Sequence, residues 1–184
     1  MLDAALLALT VLAGDAAPVP APLPPVPAMR DARFVDPMPG GVLGGYAGDT
    51  GLDIGGKQLP VFALAAGTVE YAEWGHTQWT GPRDTAYCVR IALDAPVPWH
   101  GHAITHVYYA HLSATAFAQP EGAATRRHVT AGEPLGTSGI ANGVWHLHLG
   151  LLLDGKVEQD DWTYILREDE VRTALGGYRN GQRI

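Results

Sequence analysis

The chain has 184 residues, 47% of them hydrophobic, and a formal net charge of −7. That length suits one domain with a buried core. Only 12 Lys and Arg are present, which excludes the basic face that binding a phosphate backbone requires, and no nucleic-acid partner is expected. The lone Cys88 excludes an intrachain disulfide and a thiolate zinc knuckle.

The first segment, Leu2 to Gly14, is apolar apart from Asp3 and Thr10. Residues 1–17 therefore read as a signal-like segment, with an ordinary N-terminal helix or an uncleaved anchor as the plainer alternatives. Six prolines fall between Pro18 and Pro27, which makes 18–33 a stiff extended linker. Residues 34–184 are the expected folded domain. No stretch reaches the ~18 apolar residues that span a bilayer.

Strand signals dominate from there. Val61 to Leu64 is short and apolar, and Gly67 to Trp74 is rich in β-branched and aromatic residues. Tyr87 to Leu93 alternates, Ile104 to Leu112 carries Val, Tyr and Ile, and Trp145 to Leu153 ends at the hairpin dipeptide Asp154-Gly155. The segment between Leu93 and Ile104 reads as a long loop that walls a groove. Asp161 to Leu175 reads as a helix, N-capped by Asp160 or Asp161 and stopped by Gly176-Gly177. With 23 Gly and 14 Pro, the prediction is a mainly β fold, an antiparallel β-sheet or β-sandwich with a short C-terminal helix.

Histidine spacing carries the chemistry. In Trp145-His146-Leu147-His148-Leu149 the two imidazoles are two apart, so a strand presents both on one face and sends the leucines to the other. Two solvated histidines on an exposed face would give the same pattern. Asp49 and Asp53 bracket a Gly-containing turn that enters a strand; carboxylates and neutral imidazoles are usual Zn²⁺ ligands, although such pairs also serve turns. Tyr108-Tyr109-Ala110-His111-Leu112-Ser113 ends a strand on a histidine, which alone would read as a backbone hydrogen-bonding residue.

In order, these blocks resemble the lysostaphin-type (LytM-like) zinc endopeptidases, which cut peptide cross-links in bacterial peptidoglycan. The residues that carry the resemblance are Thr50-Gly51-Leu52-Asp53-Ile54, Ala66-Gly67-Thr68-Val69 and Tyr109-Ala110-His111-Leu112-Ser113. They continue through Val129 to Gly139 (VTAGEPLGTSG) and Asn142-Gly143-Val144-Trp145-His146-Leu147-His148. The match covers roughly residues 42–153. The resemblance implies the family's duplicated β motif, one Zn²⁺, and Asp53 and His148 as the second and third metal ligands. It makes His111 and His146 the catalytic, non-ligand histidines. The first ligand position, a histidine in the family, is Asp49 here. Two carboxylates and a neutral imidazole cancel the charge of a divalent ion, so its water is acidified less.

The resemblance thus implies a zinc-dependent endopeptidase with peptidoglycan peptide as substrate, exported to the cell envelope and monomeric. The alternative is a catalytically degenerate module that binds peptidoglycan or activates a cell-envelope partner hydrolase. A biotinyl or lipoyl carrier is discarded: Lys156 lies in a turn, but methionine neighbours are absent. His100, His102 and His106 could recruit a metal, and are more simply a solvated or substrate-facing excursion. Arg126-Arg127-His128 reads as a solvated turn, Trp74, Trp79 and Trp99 as groove or packing residues, and Cys88 as a small buried hydrophobe.

Overall fold

The computed structural model of the chain describes residues 33–44, 48–78, 81–157 and 163–176. The signal-like segment and all of the proline linker but Arg33 lie outside the described residues, as do Trp79 and Asp160 to Trp162. Among the described residues no helix is long and apolar enough to cross a membrane.

The strands are β1 (Val42–Leu43), β2 (Leu52–Gly55), β3 (Pro60–Phe62), β4 (Gly67–Trp74), β5 (Tyr87–Trp99), β6 (His102–Thr115), β7 (His128–Val129), β8 (Pro134–Ala141) and β9 (Val144–Leu153). Among the described residues one helix, α1 (Glu168–Ala174), follows. All strand pairings are antiparallel, in the order β1-β2-β9-β8-β6-β5-β4-β7, with β3 on β8 and a further pairing of β9 with β6. The predicted mainly β, antiparallel fold with a short C-terminal helix is the fold observed.

Side-chain alternation explains which face each strand buries. Leu147, Leu149, Leu151 and Leu153 of β9 join Leu52 and Ile54 of β2 and Val107 and Tyr109 of β6 in the main core. The intervening positions form the other face, where Tyr108, Ala110, Leu152 and Ile165 make a smaller apolar cluster with Tyr71 and Cys88. Tyr109, fully buried, accepts a hydrogen bond at its hydroxyl from the Leu64 backbone N–H at 2.7 Å. Ser138 is buried as well; it donates to the Gly56 carbonyl and accepts from the Leu59 N–H, tying β8 to the chain before β3.

Two expectations are corrected. The segment between Leu93 and Ile104 is not a long loop: β5 runs to Trp99 and β6 starts at His102, with Trp99 opposite His102. His100 (φ 42°) and Gly101 (φ 86°) make the two-residue turn, a geometry that matches strand twist. Pro96 falls where the ladder skips between Ala92 and Val97, so its missing N–H costs no ladder bond. The C-terminal helix is shorter than predicted. Ile165 and Arg167 are extended and bridge Leu152 and Thr50, and Leu166 N–H bonds the Leu151 carbonyl. Sheet bonding of this apolar run takes the backbone groups that a helix would have used. α1 begins only where Glu170 can accept from the Arg167 N–H, and it ends at Gly176 (φ 73°).

Candidate metal centre and its groove

Asp53 on β2 lies directly opposite His148 on β9, and Ala110 on β6 lies opposite His148 on the other side. The next row along holds Gly55, His146 and Gly139 of β8. Directly opposed side chains on one face of a ladder sit ~5 Å apart at Cβ, so register alone brings Asp53 to His148. The Asp53 carboxylate accepts from His148 Nδ1 at 2.9 Å, and His146 Nε2 stands 3.7 Å from the same oxygen.

Asp49 arrives from the loop before β2, and the C-terminal segment places it. Glu168 N–H donates to the Asp49 carbonyl, Gly51 N–H donates to the Leu166 carbonyl, and Thr50 bridges Arg167. One ligating atom from each of Asp49, Asp53 and His148 lies within 4.8 Å of the others. Gly51, at φ 75°, is what lets the loop pass: a Cβ there would meet His148 Nε2 at 2.6 Å.

His111 reaches the groove by an irregularity. Tyr109 faces the core, so strict alternation would send His111 there too. Instead His111 takes φ 62°, and between Val89 and Tyr87 the β6 strand carries one residue more than β5. The bulge puts Ala110 and His111 consecutively on the groove face and returns Leu112 to the core. At this residue β6 also changes partner, from β9 (Ala110 with His148) to β8 (Leu112 with Ser138). The ring of His111 lies 5.0 Å from that of His146 and 6.0 Å from that of His148, and its buried Nδ1 has no hydrogen-bond partner among the described residues.

The five residues Asp49, Asp53, His111, His146 and His148 line one groove of about 630 Å³, with Tyr108 and Ile165 on its walls. No Lys or Arg is among its described lining residues. Burial alone would raise the Asp53 carboxyl, but the hydrogen bond from His148 and the charges of the three histidines outweigh it, so the net shift is downward. Burial, reinforced by repulsion from His146 and His148, pushes His111 down to about 4, so its ring is neutral near pH 7. His146 Nδ1 sits 3.0 Å from the Val144 carbonyl, which can only accept. Nδ1 is therefore the donor, and Nε2 is the ring nitrogen left to face Asp53 and the groove.

No protein-family model matches the sequence, and no curated protein matches it either. The structure is similar to that of a Pseudomonas aeruginosa protein assigned to peptidase M23, with TM-score 0.52 and 19% identity over 84% of this chain and 55% of that one. The fold is shared. Lysostaphin of Staphylococcus simulans, an antimicrobial peptidase, is similar at TM-score 0.47 and 18% identity, over 84% of this chain and 55% of that one. Its catalytic domain gives 0.40 and 22%, over 65% and 80%. This chain thus spans about half the length of the two longer structures.

Other candidates lie apart from this site. His102 Nδ1 is on Asp154 at 2.6 Å, and His106 faces Thr105 and Glu70; neither residue lines the groove, nor does any part of the β5–β6 hairpin tip. Arg127 pairs with Glu133 and His128 with Asp94 on the surface. Trp74 is exposed with its edge on Tyr87, and Trp99 packs on His100. Cys88 is buried, and burial pushes its thiol up to about 11. Sequence reasoning did not single out Gly51 as a spacer for His148 or residues 164–168 as the brace for Asp49. The first could have been suspected from the glycine between two candidate ligands; the second has no local signal.

Proposed function

We propose that this chain is a zinc-dependent endopeptidase that hydrolyses peptide bonds in the cross-links of bacterial peptidoglycan. The observation that carries this reading is the convergence of Asp49, Asp53 and His148 beside two further histidines, in one groove. The fold shared with a protein assigned to peptidase M23 supports it by analogy.

The residues fit the ion. Oxygen and imidazole donors are ordinary zinc ligands, their atoms are already grouped, no Lys or Arg is among the described lining residues, and Gly51 leaves room beside the His148 ring. Bound Zn²⁺ would supply a Lewis acid for the scissile carbonyl and an acidified water. The protein does the rest. His146, with Nδ1 committed to the Val144 carbonyl, accepts the proton of the attacking water at Nε2 and returns it to the leaving amine. His111, neutral and set in the groove wall, offers a hydrogen bond to the oxyanion of the tetrahedral intermediate. The glycines at 44, 48 and 150 keep the floor open to an extended peptide backbone. The same reading makes residues 34–184 the catalytic unit, monomeric and exported to where its substrate lies.

The test is metal content of the purified chain measured together with peptidoglycan turnover. Expected are about one equivalent of zinc and measurable cleavage. His146→Ala should then abolish cleavage, a loss of ~10²–10⁴-fold, with zinc retained. Zinc with no turnover would favour the peptidoglycan-binding module, and neither zinc nor turnover would sink the enzyme reading.

A further inference from the structure

Alternation along β6 aims residue 111 at the core, so something must hold the bulge that turns His111 outward. A non-glycine residue at φ 62° is uncommon, and inside a strand rather than in a turn it needs a partner to hold it. Because the strand leaves one partner and joins another at this residue, its carbonyl cannot count on a regular ladder bond.

Thr85 supplies what is missing. Its hydroxyl donates to the His111 carbonyl at 3.0 Å and accepts from the Ile140 N–H at 2.9 Å. Its own N–H donates to the Ile140 carbonyl at 2.8 Å, so Thr85 is clamped to β8 by both backbone and side chain. The preceding residue anchors the same loop a second time. Asp84 accepts from the Gly81 N–H and from the Asn142 N–H in the turn between β8 and β9. The space is made by Gly139, where a Cβ would meet Thr85 Oγ1 at 1.9 Å and the His111 carbonyl at 2.3 Å. Gly139 also stands opposite His146. Thr85, Gly139 and His111 therefore interlock across three elements, at the place where the two non-ligand histidines come within 5.0 Å of each other.

We infer that Thr85 is the positioning residue of His111: its hydroxyl holds the β6 bulge that turns the imidazole out of the core and toward His146. Thr85 does not line the groove and acts through the His111 backbone. The inference rests on the proposed hydrolytic role for its kinetic consequence, and on geometry alone for its structural one.

The two are tested separately on the full chain. Without metal or substrate, side-chain nitrogen–proton correlation spectra and ring-to-ring NOEs report where the His111 imidazole lies. Thr85→Val keeps the shape and removes the hydroxyl; it should shift the His111 ring resonances and weaken the His111–His146 NOE, leaving His148 near its place. Thr85→Ser, which restores the hydroxyl, should bring both back. In peptidoglycan-peptide hydrolysis, Thr85→Val should lower kcat by about 10–100-fold, the size expected from misplacing a group by ~1 Å, with KM and zinc content unchanged. Thr85→Ser should recover most of it.

The inference is overturned if Thr85→Val leaves the His111 resonances and NOE in place, or if Thr85→Ser fails to rescue. Loss of the fold in both Thr85→Val and Thr85→Ala would also overturn it, because Thr85 would then be a residue of stability. A wild-type chain without turnover would count against the proposed function while leaving the NMR arm intact.

Discussion

One sheet carries two clusters of half-buried charge, and they are built on opposite plans. On β4, β5 and β6, Glu70 meets Arg90 at 2.5 Å, Arg126 at 3.6 Å and His106 at 3.7 Å. Arg90 also holds Glu121 and lies over the Tyr71 ring. That cluster carries its own cations. On β2, β6 and β9, Asp49 and Asp53 stand among three histidines with no Lys or Arg in the described lining of the groove, and one buried histidine nitrogen has no partner among the described residues. Burying a carboxylate requires a compensating positive charge or hydrogen bonds. The first cluster is compensated by fixed cations; the second is compensated by histidines alone, and its grouped oxygen and imidazole donors are of the kind that hold a divalent ion.

The contrast is broken most directly by exchanging losses. Arg90→Ala should cost about 3 kcal/mol in denaturant unfolding, because half-buried Glu70 loses its hydrogen-bonded cation and keeps only Arg126 and His106 at longer range. Its zinc content should not change. His148→Ala should instead lose zinc, and should cost the metal-free protein less, about 1–2 kcal/mol, for the one hydrogen bond that Asp53 loses. If both variants were destabilised alike with metal content untouched, the two clusters would be the same kind of structural ion network.

A glycine pair sharpens the comparison. Gly51 and Gly101 both have positive φ, so alanine at either costs ~1–2 kcal/mol of backbone strain. Only at Gly51 would the new methyl meet a candidate ligand; at Gly101 nothing lies within 4 Å. Gly51→Ala should therefore lower zinc affinity as well as melting temperature, and Gly101→Ala the melting temperature alone, read by calorimetry and by metal titration.

Within the second cluster, Asp49 is the position whose chemistry can be tuned. Asp49→His adds a nitrogen donor and one unit of positive charge at the metal, and should raise zinc affinity by about tenfold or more. Asp49→Ala should lower it. Competition against a chelator of known strength separates the three proteins, and equal affinities throughout would remove Asp49 from the ligand set.

The smallest effect is on pH. Burial holds His106 below its ordinary value of 6.5, Arg90 adds to that shift, and Glu70 opposes it. A histidine depressed in the folded state binds its proton more readily when unfolded, so its contribution to stability is whole above about pH 6.5 and is lost as pH falls below. The wild type should thus lose more stability than His106→Asn between pH 7 and pH 5. Equal slopes for the two in urea melts would show that His106 is not held neutral.

What sequence reasoning could reach was whatever short-range periodicity encodes. The two-residue spacing of His146 and His148 settles their common face once β9 is a strand, and the leucines between them settle which face is core. The glycines and prolines announced the turns, and the block order pointed to the fold. Longer-range conditions stayed out of reach. The local pattern of Tyr164 to Arg167 is helical, yet the backbone of β9 and of the Asp49 loop, present only in the folded chain, takes its hydrogen bonds. Prolines make the β5–β6 hairpin look like a loop, whereas its ladder skips Pro96 and takes in Pro98 opposite Ala103.

His111 marks the boundary between the two kinds of information. Its residue type and its place at the end of Tyr109-Ala110-His111 were legible, and they named it a candidate. Its direction was not: period-two alternation from Tyr109 gives the wrong face. The sequence by itself determined which side chains are available and the phase of each regular strand, because both follow from neighbours one to four residues away. Only the tertiary structure decided that β6 changes partners at residue 111, that Thr85 and Gly139 meet there from 26 and 28 positions away, and that residues 164–168 brace Asp49. A bulge, a partner switch and a loop brace are settled by competition for backbone hydrogen bonds among distant strands, and that competition exists only once the sheet has formed.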